Sequence, residues 1–473
     1  MYELFGTVIG NISNFMYSYL LIILLLAVGL YFTFRTKFVQ FRMLKESIRL
    51  VTEKSDDKNS VSAFQALMVS TASRVGTGNI VGVANAIAIG GYGAVFWMWV
   101  IAIVGGASAF VESTLAQVYK KRDNEGGSYG GPAYYIEAAL GQRWLGIVFA
   151  VALVATYAVG FNMLCSFNLV TSLSEYSFYG DPATSKVPLI CGAILAVLVA
   201  VCVLGGGKRI VKVTSFLVPI MGVTYIIMAL IAMVLNIGTL PMVFREIFTA
   251  AFDFKAIFGG FAGSAMMQGI KRGLYSNEAG VGSAPNAAAA ANVSHPVKQG
   301  LVQMLSVFID TLLICTATAM MCLSSGLTPS EELTGAPFVQ TALASNFGNF
   351  GYYFVTFALL LFAFTTLLGN LFYCEGCLNY IANKTLNKKT IATFNVFASV
   401  VVFVGALLDF GLVWDLADVL MGIMAIINLP VIVLLSKPAL AALSDYIRQR
   451  KEGKNPEFKA ASIGLKHKTD FWN

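Results

Sequence analysis

Long apolar runs separated by short polar segments organise this chain from end to end. They lie at 16–34, 63–89, 93–119, 145–173, 187–204, 210–236, 257–284, 297–323, 351–381, 390–408 and 411–435. Each is close to or longer than the roughly 20 residues that carry an α-helix across a bilayer. The pattern therefore predicts an all-α polytopic membrane protein with about 11 transmembrane helices. Two runs are interrupted. The first carries Ser73-Arg-Val-Gly-Thr-Gly-Asn79 at its centre, and the second reads Gly259-Gly-Phe-Ala-Gly263-Ser-Ala-Met-Met-Gln268. Hydrocarbon supplies no water, so backbone groups freed by a break must be met by protein, a polar cavity or a ligand. Glycine-interrupted spans in matching places of two halves point to a transporter's binding site.

The interrupted spans stand five apart and cross in opposite directions. That spacing predicts a five-plus-five inverted repeat preceded by one extra N-terminal helix. The expected divisions are 1–62 for that helix and an amphipathic linker, 63–236 and 237–435 for the repeats, and 436–473 for a polar tail with a flexible end.

Charge sets the orientation. Only 12% of residues are charged against 57% hydrophobic, where a soluble chain carries about a quarter charged. The net charge of +7 is dispersed through short loops rather than gathered into a phosphate-binding surface, so nucleic acid is not an expected partner. Lysine and arginine concentrate in 35–62, 120–144, 205–209, 382–389 and the tail. By the positive-inside rule these segments are cytoplasmic, which puts the N-terminus outside and the C-terminus inside a plasma membrane. The start Met-Tyr-Glu-Leu-Phe lacks a basic n-region, so the first run reads as a retained span.

Little in the composition suits enzymatic chemistry. The chain has two histidines, His295 and His467, and seven cysteines, all within apolar runs, where cysteine behaves as a small hydrophobe. Cys374 and Cys377 have metal-like spacing, but no second pair completes a site.

Three segments carry a family resemblance. Ser73 to Asn79, Gly90-Gly-Tyr-Gly-Ala-Val-Phe-Trp-Met-Trp99-Val-Ile-Ala-Ile-Val-Gly105 and Arg272-Gly-Leu-Tyr-Ser-Asn-Glu-Ala-Gly-Val-Gly-Ser-Ala-Pro285 resemble the hallmarks of the alanine/glycine:cation symporters, within the amino acid–polyamine–organocation superfamily. The resemblance covers nearly the whole chain. It implies a leucine-transporter-type fold and uptake of small neutral amino acids, chiefly alanine and glycine, driven by sodium; a monomer is compatible with it. It further implies that Thr77 and Gly78 receive the substrate carboxylate, and that sodium meets the carbonyls of Ala72, Val75 and Phe362 and the hydroxyls of Thr365 and Thr366. Asn79 is expected beside Thr77 and Gly78 in the substrate site, and it resembles a position that serves a second sodium in some members of the fold. A helix N-terminus with glycine at the turn suits an anion physically as well. The substrate ammonium needs acceptors, expected from the second break at Ala262, Gly263, Ser264 and Ala265, with Gln268 and Asn162 as further polar contacts.

Charges within spans need partners. Arg74 is expected to meet Glu112 or Asp310, whereas Asp409, Asp415 and Asp418 are expected to be solvated. Rival readings are a proton-coupled symporter or one for another amino acid, then a channel, then a membrane enzyme.

Overall fold

The computed structural model describes residues 2–53, 61–122, 127–252, 264–408, 410–465 and 469–472. The calls on Ala262, Gly263 and Asp409 lie outside the described residues. The chain is a bundle of helices with one short hairpin, β1 (Lys121–Arg122) and β2 (Ser128–Tyr129), paired antiparallel. In chain order the helices are α1 (Gly6–Arg35), α2 (Leu44–Val51), α3 (Ala63–Arg74), α4 (Val81–Gly90), α5 (Gly93–Val118), α6 (Pro132–Leu140), α7 (Arg143–Thr171), α8 (Val187–Val203) and α9 (Gly207–Leu235). They continue with α10 (Leu240–Ala250), α11 (Ala265–Asn277), α12 (Pro285–Ala290), α13 (Pro296–Ser324), α14 (Gly335–Phe347), α15 (Asn349–Ala382), α16 (Lys388–Gly405), α17 (Phe410–Leu434) and α18 (Ser436–Lys451). Among the described residues, eight helices are long and apolar enough to cross a membrane unaided.

Local chemistry sets several boundaries. Ser62 caps α3 in a reciprocal capping box with Gln65, which satisfies two backbone donors at the helix start. The Ser264 hydroxyl accepts from the Met267 amide at the start of α11. His295 caps α13 through its Nδ1 and is followed by Pro296, and proline at the first helical position sacrifices no hydrogen bond.

Packing divides inner from outer helices. The helix α5 is buried along most of its length and touches α1, α11, α12 and α13, while α3 rests on α9 and α15. On α9, Phe216, Ile220, Val223, Ile227, Leu230 and Val234 form an exposed apolar stripe at helical spacing. A stripe of that length is the face a bilayer covers.

Three expectations about polar segments meet the structure here. The linker does contain an amphipathic helix, α2, with Ser47 and Leu50 turned inward. The tail beyond α18 is more ordered than expected. Phe458 and Trp472 are buried; the Trp472 indole donates to the Gln117 carbonyl at 2.7 Å, and the Phe458 amide to the Ser294 carbonyl at 2.9 Å. Asp418 is a correction as well. It is fully buried between Lys271 at 2.9 Å and Arg272 at 3.2 Å, because α17 packs beside the charged turn of α11 rather than facing solvent.

Candidate functional site

The first interrupted span is two half-helices. The helix breaks at Val75-Gly76, where both residues leave helical conformation, and a 3-10 turn over Thr77–Asn79 leads into α4. Asn79 holds the break in shape. Its Oδ1 accepts from the Gly76 amide at 2.8 Å, its Nδ2 donates to Asp310 Oδ1 at 2.7 Å, and its carbonyl accepts from the Thr318 hydroxyl at 2.6 Å. Thr77 turns its hydroxyl to α7, accepting from Asn168 Nδ2 at 2.9 Å. The first amides of the turn, at Thr77 and Gly78, have no acceptor within their own helix, and the helix dipole favours an anion beside them.

Of the expected second break at 259–268, residues 259–263 lie outside the described residues; a further interruption follows α11, at the segment from Glu278 to Ser283. Glu278 has φ +53° and Gly280 has φ +84°, a left-handed conformation that glycine adopts without strain. This break is anchored by Glu112, whose carboxylate accepts from Asn428 Nδ2 at 2.8 Å and from the Gly280 amide at 3.3 Å. Glu278 itself accepts from the Ser283 hydroxyl at 2.6 Å and from Ser73 at 3.4 Å.

Between the two breaks is a small buried cavity. Ser73, Arg74, Gly76, Thr77 and Gly78 line it from the first break, Tyr275 and Glu278 from the second, with Phe161 of α7 and Thr366 of α15 closing the sides. Its free volume is about 10 Å³, room for about one water molecule. The glycines permit this closeness. A Cβ on Gly78 would lie 2.4 Å from the Tyr275 ring, and one on Gly76 would lie 2.3 Å from the Thr366 hydroxyl.

Two layers seal one side. The Tyr275 ring stands 4.9 Å from Phe161 and 5.2 Å from Trp414. Behind them, Arg272 lies over Trp414 at 4.2 Å and pairs with Asp418. On the other side the Ser73 hydroxyl donates to Asn370 Oδ1 at 2.8 Å, and Asn370 donates to Asn162 Oδ1 at 3.1 Å.

The expected cation ligands separate into two groups. Thr366 Oγ1 donates to the Ala72 carbonyl at 3.0 Å, so α15 and the end of α3 meet there. The last carbonyls of α3, including those of Ala72 and Val75, carry the negative end of its dipole. Thr365 instead bonds back to Leu361 and Phe362 carbonyls at 2.9 and 3.2 Å and faces the Met221 sulfur at 3.4 Å. The carbonyl of Phe362 is thus already engaged within its own helix.

Other expected contacts are not brought to the cavity. Ser264 and Ala265 begin α11, at the opposite end from Tyr275 and Glu278. Gln268 packs its Cβ against Gly90, 12 residues beyond Gly78 and therefore about 18 Å along the outer half-helix. Asn162 sits one layer away, through Asn370. Residues that the sequence did not flag are closer: Asn168 on Thr77, Asn370 on Ser73, Ser283 on Glu278, and Tyr275 over the turn.

Arg74 is 2% exposed, and its Nη1 donates to the Gln303 carbonyl at 3.2 Å. Its Nε and Nη2 have no hydrogen-bond partner among the described residues. Among the described residues it forms no ion pair with Glu112 or Asp310, the partners expected for it, whereas Glu278 lines the same cavity. Asp310 is further held by the Ser276 and Thr311 hydroxyls, each at 2.8 Å.

A buried site between two broken helices is a transporter arrangement, and comparison with known proteins fixes the lineage. The model of the sodium:alanine symporter family matches residues 2–460. The chain belongs to the sodium:alanine symporter family. The symporter is 46% identical over 460 residues to a probable sodium/glutamine symporter, GlnT, of Bacillus subtilis (strain 168), covering 97% of this chain and 94% of that one. It is 42% identical over 478 residues to a putative sodium/proton-dependent alanine carrier, YrbD, of the same organism, covering 98% and 97%. Its fold is similar to a solved manganese transporter of Eremococcus coleocola, with TM-score 0.52 and 11% identity over 86% of this chain and 84% of that chain. The symporter is thus a multi-pass plasma-membrane transporter of amino acids and not an enzyme.

Proposed function

We propose that this symporter imports small neutral amino acids, alanine and glycine, with sodium, by alternating access around the cavity between α3–α4 and α11–α12. The observation that carries the reading is the convergence at Val75–Gly78. Amides suited to a carboxylate open on one side of the turn, and carbonyls suited to a cation end on the other, beside Thr366. In this reading Thr77 and Gly78 hold the carboxylate, and Ala72, Val75 and Thr366 hold sodium. Thr365 and Phe362 stay outside the ligand set in this reading, since both are engaged within α15. The substrate ammonium would lie toward Glu278 and Ser73. Asn79 supports the turn and is a substrate neighbour rather than a direct ligand. The tail-bearing end of the bundle is cytoplasmic, by the distribution of lysine and arginine, and the two broken spans head the inverted repeats.

A second reading concerns the substrate. The amides of Asn162 and Asn168 stand one layer behind the cavity lining, and among the described residues Asn162 Nδ2 and Asn168 Oδ1 have no hydrogen-bond partner. Groups left unpaired in this way favour a substrate that can bond to them, such as a neutral amino acid with a side-chain amide. A third reading, coupling to protons, draws on Glu278, which lines the cavity with Arg74, and on Asp310 behind Asn79.

Uptake by proteoliposomes tests all three. Labelled alanine should accumulate when an inward sodium gradient is imposed and not when choline replaces sodium. Undiminished uptake in choline would exclude sodium coupling. Accumulation of glutamine but not alanine would select the amide-bearing substrate, and dependence on an imposed proton gradient alone would select the third reading.

A further inference from the structure

We propose that a second cavity, remote from the transport site, binds the phosphate group of an anionic membrane lipid. It lies where the β1–β2 hairpin, α6 and the end of α15 meet, on the tail-bearing end of the bundle, and has a volume of about 480 Å³. Among the described residues three cations line it, Lys121, Arg143 and Lys384, against one carboxylate, Glu137. Arg143 is already engaged. It pairs with Glu137 at 3.1 Å, donates to the Tyr380 carbonyl at 3.2 Å and lies 5.1 Å from the centre of the Tyr380 ring. Among the described residues, the ammonium groups of Lys121 and Lys384 have no ion-pair partner. Two lysine charges without a partner among the described residues therefore face one cavity, which suits an anion.

The surroundings point to a lipid rather than a soluble phosphate. Arg143 is the first residue of α7, and the next, Trp144, is 64% exposed with its indole held by the Gln142 side chain at 2.8 Å. One and two turns further on, Val148 and Val151 are exposed on the same helix. An exposed tryptophan followed by exposed aliphatic residues marks the boundary between headgroups and hydrocarbon. The cavity thus lies at headgroup depth beside a lipid-facing helix, where basic pockets between spans receive lipid phosphates. Its inner wall is phenolic: the Tyr134 ring packs 4.9 Å from Tyr380, and the Tyr134 hydroxyl is engaged with the Gly376 carbonyl at 2.8 Å. That wall offers apolar contact to a glycerol backbone without competing for the phosphate.

The test uses the full chain, purified in neutral detergent and depleted of lipid. Thermal unfolding is followed with phosphatidylglycerol in mixed micelles, with phosphatidylcholine, and with inorganic phosphate. Phosphatidylglycerol should raise the Tm of the wild type by several degrees, and the other two should not. The double variant Lys121→Gln/Lys384→Gln should bind phosphatidylglycerol roughly tenfold to thirtyfold more weakly. A matched variant, Lys388→Gln/Lys389→Gln, removes two charges from the same end without touching the cavity and should keep the full shift. No shift in the wild type, or an equal shift in the first variant, overturns the proposal. A full shift with inorganic phosphate alone overturns the lipid assignment in favour of a soluble anion.

Discussion

Thr365 and Thr366 are neighbours on α15, yet their hydroxyls serve different surroundings. Only Thr366 reaches across to α3, at the Ala72 carbonyl, while Thr365 is bonded to its own helix and to Met221. Thr366→Val removes an oxygen from the meeting point of the two helices. A hydrogen bond or ligand contact to a charge is worth about 1.5–3 kcal/mol, so half-maximal uptake should need roughly tenfold or more sodium. Thr365→Val should change it by less than about threefold. Sodium titrations of alanine uptake check both, and equal losses would return Thr365 to the ligand set. Gly78 offers a second test at this scale. The Tyr275 ring occupies the space a Cβ would need, and overpacking costs about 1–3 kcal/mol. Gly78→Ala should therefore lower thermal stability, and Tyr275→Leu in the same chain should recover most of the loss. Additive losses would show that the ring is not the obstacle.

Among the elements, the first break was plain in the sequence because its polar residues stand alone in an apolar run. The second expected break, at 259–268, lies partly outside the described residues, and the turn that follows α11 was legible only as part of a glycine-rich region. Its glycines have different tasks: Gly269 and Gly273 let α11 press against α5, where a Cβ would come within 2.3 Å of the Ala94 carbonyl and 2.6 Å of Ile101. Four-residue glycine spacing at a helix contact is common in membranes, and in composition it looks the same as a break. The turn itself uses Glu278 and Gly280, whose left-handed backbone has no signature in a glycine count. Asp418 was misread for a related reason. Its position near a helix end suggested water, whereas its environment is decided by Lys271 and Arg272 on another helix. Breaking such a buried pair from one side costs about 3–5 kcal/mol. Asp418→Asn should therefore destabilise the chain strongly, and Lys271→Met in the same chain should restore part of the loss. Thermal unfolding of both variants decides it; a mild effect of Asp418→Asn would mean that Asp415 carries the cations.

For the molecule as a whole, the cavity is closed on both sides, and the end that carries the tail is held by contacts distant in sequence. Two of those contacts involve basic groups that the fold prefers uncharged. Burial, and then the charge of Arg122, pulls Lys120 from 10.5 to about 7; the Ala291 carbonyl at 2.9 Å and the Phe471 ring at 3.9 Å work in the opposite direction. Burial likewise lowers the His295 pKa below 6.5, against the pull of Asp445. The geometry agrees for the histidine, since its Nδ1 accepts from the Val297 amide at 3.2 Å and a proton there would break the cap of α13. For a base whose folded pKa is depressed, the unfolded chain binds more protons between the two values, so stability rises with pH across that window. The Lys120 contribution should therefore grow from about pH 7 toward 10.5. The His295 contribution should be lost as pH falls below 6.5. The tail lies against both groups, so acid should release it before the spans unfold. Hydrogen exchange at 456–465 should quicken as pH is lowered from 7 to 5, after correction for intrinsic rates. His295→Asn keeps a side-chain cap without a titrating ring and should flatten that response. An unchanged acid response in His295→Asn would show that the His295 ring is not its origin.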